Sequence, residues 1–234
     1  MSTDASILIV EDEPAIRMGL IDVFVYHGYR VDFADNGPDG LAKGLSGDFD
    51  LILLDVMLPG IDGFEICNRI REQSRDQAII MLTAKSNDED IIQGLSLGAD
   101  DYVSKPFSVA QLVLRVQAVL RRTAASSAVN DVIELSPNLQ IDCQNLSGTR
   151  GKETLSFTCR EIALLQYLQA HSERPVSRDE LLHKVWGYAD DLSLETRTVD
   201  IHVAKLRRKI EADSSSPEFL VTVRGAGYRL LSQS

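Results

Sequence analysis

Cysteine is too scarce in this chain to build anything. Cys67, Cys143 and Cys159 are odd in number and fall at no paired spacing, which argues against a disulfide framework and against a thiolate metal site. They read as reduced, structural residues. Long apolar runs are missing as well. Nothing approaches the roughly 20 residues that a membrane helix requires, and residues 7–10 are too short a run, too close to acids, to act as a secretory signal. The expectation is a cytoplasmic chain with no membrane partner. Basic charge is also in deficit, with 24 Lys/Arg against 35 Asp/Glu and a net charge of -11, which at first weighs against a nucleic-acid partner. The deficit is unevenly spread. Up to Arg122, 20 acids face 11 basic residues (-9); beyond it 15 face 13 (-2). Screening confines each charge to roughly 10 Å at moderate salt, so a phosphate backbone senses a local basic face rather than the molecular total.

What the chain does have is enough length for two cores. Its 234 residues suit two domains of about 100 to 120 residues each. Residues 1–122 repeat one alternation, a short apolar run followed by an amphipathic stretch. The runs are 7–10, 31–34, 51–54, 79–82 and 101–103, and the helical patterns are 14–27, 37–45, 63–72, 88–97 and 108–120. This predicts an α/β domain with a five-stranded, parallel, doubly wound sheet of the flavodoxin-like kind, covered on both faces. In such sheets, sites form at the carboxyl ends of the strands. Residues 123–130, TAASSAVN, are small, polar and aperiodic, and read as a linker.

Residues 131–234 open with short β-like pieces and turn signals at 136–138 and 147–152. Two capping boxes then announce helices, Thr158 with Glu161 and Ser177 with Glu180. A third helix is expected from about 194 to 213. The chain closes with an apolar run at 219–223, the turn RGAG, and a second run at 228–231, the pattern of a β-hairpin. Helices followed by a hairpin predict an α+β winged helix-turn-helix domain.

Glu11 and Asp12 stand directly after the first run and Asp55 directly after the third. The expected topology brings these strand ends together. Like charges so close repel, and the usual remedy is a hard divalent cation with oxygen ligands, Mg2+ being the natural candidate. Thr83 follows the fourth run and Lys105 the fifth; a hydroxyl and an ammonium there can bind phosphoryl oxygens. Taken singly, an acid after a strand is ordinarily a loop charge or a helix cap. Their joint occurrence at successive strand ends is hard to obtain by chance. Tyr102 by itself reads as a core aromatic, and Asp101 as surface charge.

These residues carry a resemblance. The acidic pair in VEDE, Asp55 in LLDVMLPGIDG, Thr83 in LTA, and Lys105 with Pro106 in YVSKPF are, in that order, similar to the receiver domain of bacterial two-component systems. The resemblance implies that Asp55 is a nucleophile that becomes an acyl phosphate, and that Glu11, Asp12 and the Met57 carbonyl help it hold Mg2+. It implies that Thr83 and Tyr102 transmit the signal, the hydroxyl moving toward the phosphoryl group and the ring turning inward. The bond from Lys105 to Pro106 is expected to be cis, which a prolyl amide permits at modest cost.

On a helical wheel, Val199, Val203, Leu206 and Ile210 share one face of the third helix, and Arg197, Thr198, Ile201, Ala204, Lys205 and Arg208 point the other way. Cations separated by short side chains can lie in a major groove; by composition alone they fit a solvated helix surface. The run TRTVDIHVAKLRRKI, with VSRDELLHKVWG before it and TVRGAGYRL after it, resembles the effector domain of OmpR/PhoB-type response regulators. With the receiver motifs, the resemblance spans nearly the whole chain. It implies that the helix bearing Arg197, Thr198, His202, Lys205, Arg207 and Arg208 enters the major groove. Arg224 on the wing would reach the minor groove, and Trp186 and Thr222 would approach backbone phosphates. His202, at the edge of the buried face, reads equally well as a packed histidine.

The resemblance further implies a sensor histidine kinase, double-stranded promoter DNA and RNA polymerase as partners, and a phosphorylation-linked homodimer. Such a chain is no enzyme of metabolism and catalyses only its own phosphorylation and dephosphorylation. Two departures stand out. Ala204 occupies a position where family members often carry a cation. Ile91 and Gln111 stand where a basic and an acidic residue commonly pair across the dimer axis, and Leu97 stands where an acid often meets the residue matching Arg115. Three alternatives remain open. One is a Mg2+-dependent aspartyl phosphohydrolase, weakened by Met57 two residues after Asp55, where a second acid is expected. Another is a flavodoxin-like cofactor binder, weakened because no Ser/Thr/Gly phosphate loop follows the first strand. The last is an atypical DNA-binding regulator that works without phosphorylation.

Overall fold

The computed structural model describes residues 5–83, 98–123, 132–188 and 197–233, and the chain divides into two compact units, Met1–Ala124 and Ala125–Ser234. In the first unit, β1 (Ser6–Val10), β2 (Arg30–Ala34), β3 (Leu51–Asp55), β4 (Ala78–Thr83) and β5 (Asp101–Ser104) pair in parallel in the order β2-β1-β3-β4-β5. Between and after them run α1 (Pro14–Tyr26), α2 (Gly37–Gly44), α3 (Gly63–Gln73) and α4 (Val109–Thr123). The helical pattern expected at 88–97 lies outside the described residues, as do most of the linker and positions Ile91 and Leu97.

Every residue of β1, β3 and β4 is buried, as a parallel sheet covered on both faces requires. Ile7, Ile9, Leu51 and Leu53 form one core with Leu20 and Phe24 of α1 and Leu112, Val113 and Val116 of α4. The alternate side chains face α2 and α3: Gly40 packs on Val10, and Gly44 on Ile52 and Ile70. Burying each Leu or Ile contributes about 1.5–3 kcal/mol. Asn36 and Asp62 cap α2 and α3, their side chains accepting from the N–H of Asp39 at 3.0 Å and of Glu65 at 2.8 Å. Because the strands run parallel, their carboxyl ends share one edge of the sheet.

In the second unit, β6 (Val132–Ser136), β7 (Leu139–Asp142), β8 (Ser147–Arg150) and β9 (Glu153–Ser156) form an antiparallel meander. The turn signals at 147–152 are met at their end: residues 147–150 are strand, residues 151–152 turn the chain from β8 into β9, and a further reversal falls at 143–146. There the Asp142 carboxylate accepts the N–H groups of Gln144 at 3.0 Å and Asn145 at 2.9 Å, and Leu146 takes a φ of 49°. Gly148, within β8, marks a close approach, since a Cβ there would fall 2.7 Å from the Gln140 carbonyl.

Helix α5 (Cys159–Ala170) starts at the full Thr158–Glu161 capping box. Helix α6 (Arg178–Leu181) continues as a π-helical turn over Leu182–Trp186. Ser177 accepts the Glu180 N–H at 3.1 Å, while the Glu180 carboxylate goes to Arg174 and Tyr167. Helix α7 (Arg197–Ile210) stops short of the expected position 213, because the Glu211 carboxylate turns to accept the N–H groups of Glu218, Phe219 and Leu220. Strands β10 (Leu220–Val223) and β11 (Gly227–Leu230) make the terminal hairpin, and Val176 pairs with Tyr228 beside it. Among the described residues, no helix is long and apolar enough to cross a membrane.

Candidate functional site

The carboxyl edge of the parallel sheet gathers side chains from distant parts of the chain. Glu11 is the first residue beyond β1, Asp55 the last of β3, Thr83 the last of β4, and Lys105 follows β5. Carboxylate atoms of Glu11, Asp12 and Asp55 lie within 4.8 Å of one another, with Glu11 and Asp55 buried and Asp12 exposed. The Lys105 ammonium sits between two of them, 3.0 and 2.8 Å from the Glu11 oxygens and 2.9 Å from Asp55 Oδ2. Burial foremost, with the charge of Asp55 adding to it, holds Glu11 above the usual carboxylate range although Lys105 pulls the other way. Burial alone would depress the Lys105 ammonium; its hydrogen bonds to Glu11 and Asp55, with their charges, raise it instead. Three carboxylates against one ammonium leave a surplus of negative charge on hard oxygen donors, and such a set fits a hard divalent cation.

Two local features aim Asp55 into this pocket. The Met57 N–H donates to Asp55 Oδ1 at 3.3 Å. Gly63 opens α3 against the back of the strand end, where a Cβ would fall 2.1 Å from the Asp55 carbonyl oxygen. Thr83 is fully buried, and its carbonyl accepts the Lys105 N–H at 2.6 Å. Tyr102 is buried on β5, beside Met81 in the register. The bond from Lys105 to Pro106 is cis, as expected. Asp101 departs from its reading as surface charge: it is wholly buried, and the Arg115 guanidinium on α4 pairs with it at 2.7 Å. Sequence reasoning missed Arg17, which donates to the carbonyls of Glu11 at 2.7 Å and Asp12 at 3.1 Å. Its partners are backbone atoms, so no residue pattern could flag it.

The second unit sorts the residues of α7 differently from the helical wheel. Val199, Val203, Leu206 and Ile210 are buried as expected, but so are Thr198, Ile201 and His202. His202 and Trp186, at 2% and 0% exposure, belong to the interior and leave the set of side chains presented to a ligand. Their rings meet edge to face at 5.0 Å, and Arg160 lies 5.3 Å from the Trp186 centroid on the way to the Val185 carbonyl. His202 Nδ1 lies 2.9 Å from the Thr198 carbonyl, which can only accept, so the proton is on Nδ1. Burial pushes this imidazole down to about 4.

Glu161 of α5 is fully buried under α7, with Lys205 at 3.3 Å and Lys209 at 2.6 Å. Burial alone would raise Glu161, but the two lysines hold it below the usual range. Arg207 ties α7 to the hairpin, reaching the Leu220 carbonyl and the Thr222 hydroxyl, each at 2.8 Å. Ala204, Arg208, Thr222 and Arg224 are exposed, while the Arg197 side chain lies outside the described set.

A doubly wound domain with a carboxylate pocket at its strand ends, joined to a winged helix-turn-helix, defines a signal-responsive regulator of transcription. The family described as response regulator receiver domain matches residues 7–117, and the family described as transcriptional regulatory protein, C terminal, matches residues 151–230. A probable transcriptional regulatory protein of Picosynechococcus is 41% identical over 238 residues, spanning 98% of this chain and 94% of that protein. The sensory transduction protein RegX3 of Mycobacterium bovis is 40% identical over 226 residues, spanning 96% and 98%. The solved structure of the response regulator DrrB, an OmpR/PhoB homolog of Thermotoga maritima, is similar with a TM-score of 0.52 at 29% identity, covering 98% of this chain and 100% of that one. The chain belongs to the OmpR/PhoB-type response regulators of two-component systems, which control transcription.

Proposed function

We propose that Asp55 accepts a phosphoryl group from a sensor histidine kinase, and that this event controls dimerisation and the binding of promoter DNA by the second unit. The observation that carries the reading is convergence. Glu11 and Lys105, 94 positions apart in sequence, hydrogen-bond beside Asp55 at one sheet edge. The carboxylates of Glu11, Asp12 and Asp55, with the Met57 carbonyl, would hold Mg2+, which when bound supplies charge neutralisation to the phosphoryl oxygens. An Asp55 oxygen attacks phosphorus in line. The phosphorus–nitrogen bond of phosphohistidine breaks, and its electron pair returns to the ring nitrogen, which takes a proton. Lys105, already at Asp55, pairs with a phosphoryl oxygen, and the Thr83 hydroxyl donates to another. Tyr102, whose ring is already buried, would shift together with Thr83 as the switch. Later attack of water at phosphorus restores the carboxylate and releases phosphate, so the chemistry is confined to the chain's own side chain. Met57 offers no second carboxylate to a phosphohydrolase.

Phosphorylation would favour a dimer-competent receiver. Two linked effector domains then bind paired half-sites more tightly than one, because the second contact is intramolecular. On DNA, α7 lies in the major groove with Arg197, Lys205 and Arg208, Arg207 bracing it, while Thr222 meets a phosphate and Arg224 enters the minor groove. RNA polymerase is the partner at the promoter, in the cytoplasm. Wild type and Asp55→Asn are incubated with acetyl phosphate and Mg2+ and weighed by mass spectrometry. Wild type gains one phosphoryl group and the variant none; equal labelling would exclude Asp55 as the acceptor. Retardation of genomic fragments, with and without beryllofluoride, should show tighter DNA binding in the treated sample.

A further inference from the structure

Residues 11–13 carry two of the three pocket carboxylates, yet the helix they lead into starts without the usual lock. Glu13 at the N-cap of α1 makes no side-chain capping hydrogen bond, whereas Asn36 and Asp62 cap the two helices that follow. The loop is held from inside the first turn of the helix instead. Arg17 reaches back, and its Nη1 donates to the Glu11 carbonyl at 2.7 Å and to the Asp12 carbonyl at 3.1 Å. The guanidinium lies over Phe33 of β2, 5.4 Å from the ring centroid, and its Nε is buried with no hydrogen-bond partner among the described residues. Two consecutive carbonyls and an aromatic floor thus fix the cation from three sides. Among the described residues Arg17 forms no ion pair with either carboxylate, while Lys105 occupies both oxygens of Glu11. Arg17 therefore brings positive charge to a crowded anionic loop through its backbone and leaves the carboxylate oxygens to a ligand.

We propose that Arg17 is a positioning residue of the cation site: it holds the Glu11–Asp12 loop against the mutual repulsion of its carboxylates and so sets the Mg2+ concentration at which the pocket fills. The inference rests on the reading of this pocket as a Mg2+-dependent phosphoacceptor site. Arg17 touches neither the phosphoryl group nor Asp55, so its contribution belongs to loading of the site and not to the transfer step. Phe33 acts one step further out, by supporting the guanidinium.

The test uses the full-length chain as wild type, Arg17→Gln, Arg17→Lys and Phe33→Leu. Mg2+ binding is followed by calorimetry without any phosphoryl donor, and the rate of labelling by acetyl phosphate is followed as a function of Mg2+. Arg17→Gln should raise both the Mg2+ dissociation constant and the half-saturating Mg2+ by about tenfold, with the rate at saturating Mg2+ within about twofold of wild type. Arg17→Lys, keeping a cation but losing the planar fork, should fall between, and Phe33→Leu should shift both less. An unchanged Mg2+ dependence beside a lower melting temperature would make Arg17 a fold element only and overturn the proposal. A lower saturating rate at unchanged Mg2+ dependence overturns it too, assigning Arg17 to the transfer step. A wild-type chain that takes up no Mg2+ removes the reading of the pocket itself, an outcome distinct from a wild type that binds and a variant that binds equally well.

Discussion

A histidine on α7 illustrates what burial does to a single side chain. His202 packs edge to face on Trp186, donates from Nδ1 to the Thr198 carbonyl, and has its imidazole pushed down to about 4 from an ordinary 6.5. The unfolded chain takes up a proton as pH falls through 6.5, while the folded chain resists until about 4. The stability contributed by the neutral ring is complete above pH 6.5 and is lost as pH drops toward 4, by about 3 kcal/mol. Trp186 is the sole tryptophan and touches the ring in question, so its fluorescence during urea unfolding at a series of pH values follows this unit directly. His202→Phe should lose that part of the pH slope. Equal slopes in the two proteins would mean that the ring is not buried in neutral form.

Whether a glycine is structural or incidental depends on the element facing it. Gly19, inside α1, has nothing within 4 Å of its missing Cβ, so Gly19→Ala should stabilise the chain by about 1 kcal/mol through helix propensity alone. Gly63 begins α3 against the end of β3, and a methyl there must displace the Asp55 carbonyl. Gly63→Ala should cost about 1–3 kcal/mol and slow labelling of Asp55 by acetyl phosphate, because the strand end that aims the carboxylate moves with it. Thermal unfolding and the labelling rate, measured on both variants, separate the two cases. Normal labelling in Gly63→Ala would show that β3 and α3 can part without disturbing the pocket. Helix α7 shows the same dependence on a neighbouring element: Glu161 on α5 engages Lys205 and Lys209 from beneath, so Lys205, which a wheel assigns to the surface, also anchors the helix together with Lys209. Removing one partner of a buried pair of this kind costs more than the pair contributes, since the other charge is left in the interior.

Over the whole molecule, negative charge dominates at -11, and DNA binding depends on how little of it lies near the contact surface. Arg224 at the hairpin tip and Arg208 on α7 are both exposed. Arg224→Ala should weaken binding to all sequences alike and reduce the slope of log affinity against log salt by about 1, the signature of one lost phosphate-region contact. A retardation series over several salt concentrations measures both. An unchanged slope with altered sequence preference would instead make Arg224 a reader of base edges.

Much of this was legible in the residues themselves. A βα alternation implies parallel strands, parallel strands put their carboxyl ends on one edge, and Glu11, Asp12, Asp55, Thr83 and Lys105 could be assembled on that edge without coordinates. Helix starts at Thr158 and Ser177 were equally plain, because a cap is a contact between residues three apart. Tertiary structure alone decided which polar groups are presented and which are consumed. Asp101 meets Arg115, Arg17 meets two carbonyls, Glu161 meets two lysines, and His202 and Trp186 meet each other, in each case across elements or against backbone. Periodicity describes one element at a time, whereas the cost of burying a charge or a ring nitrogen is set by whatever packs opposite it.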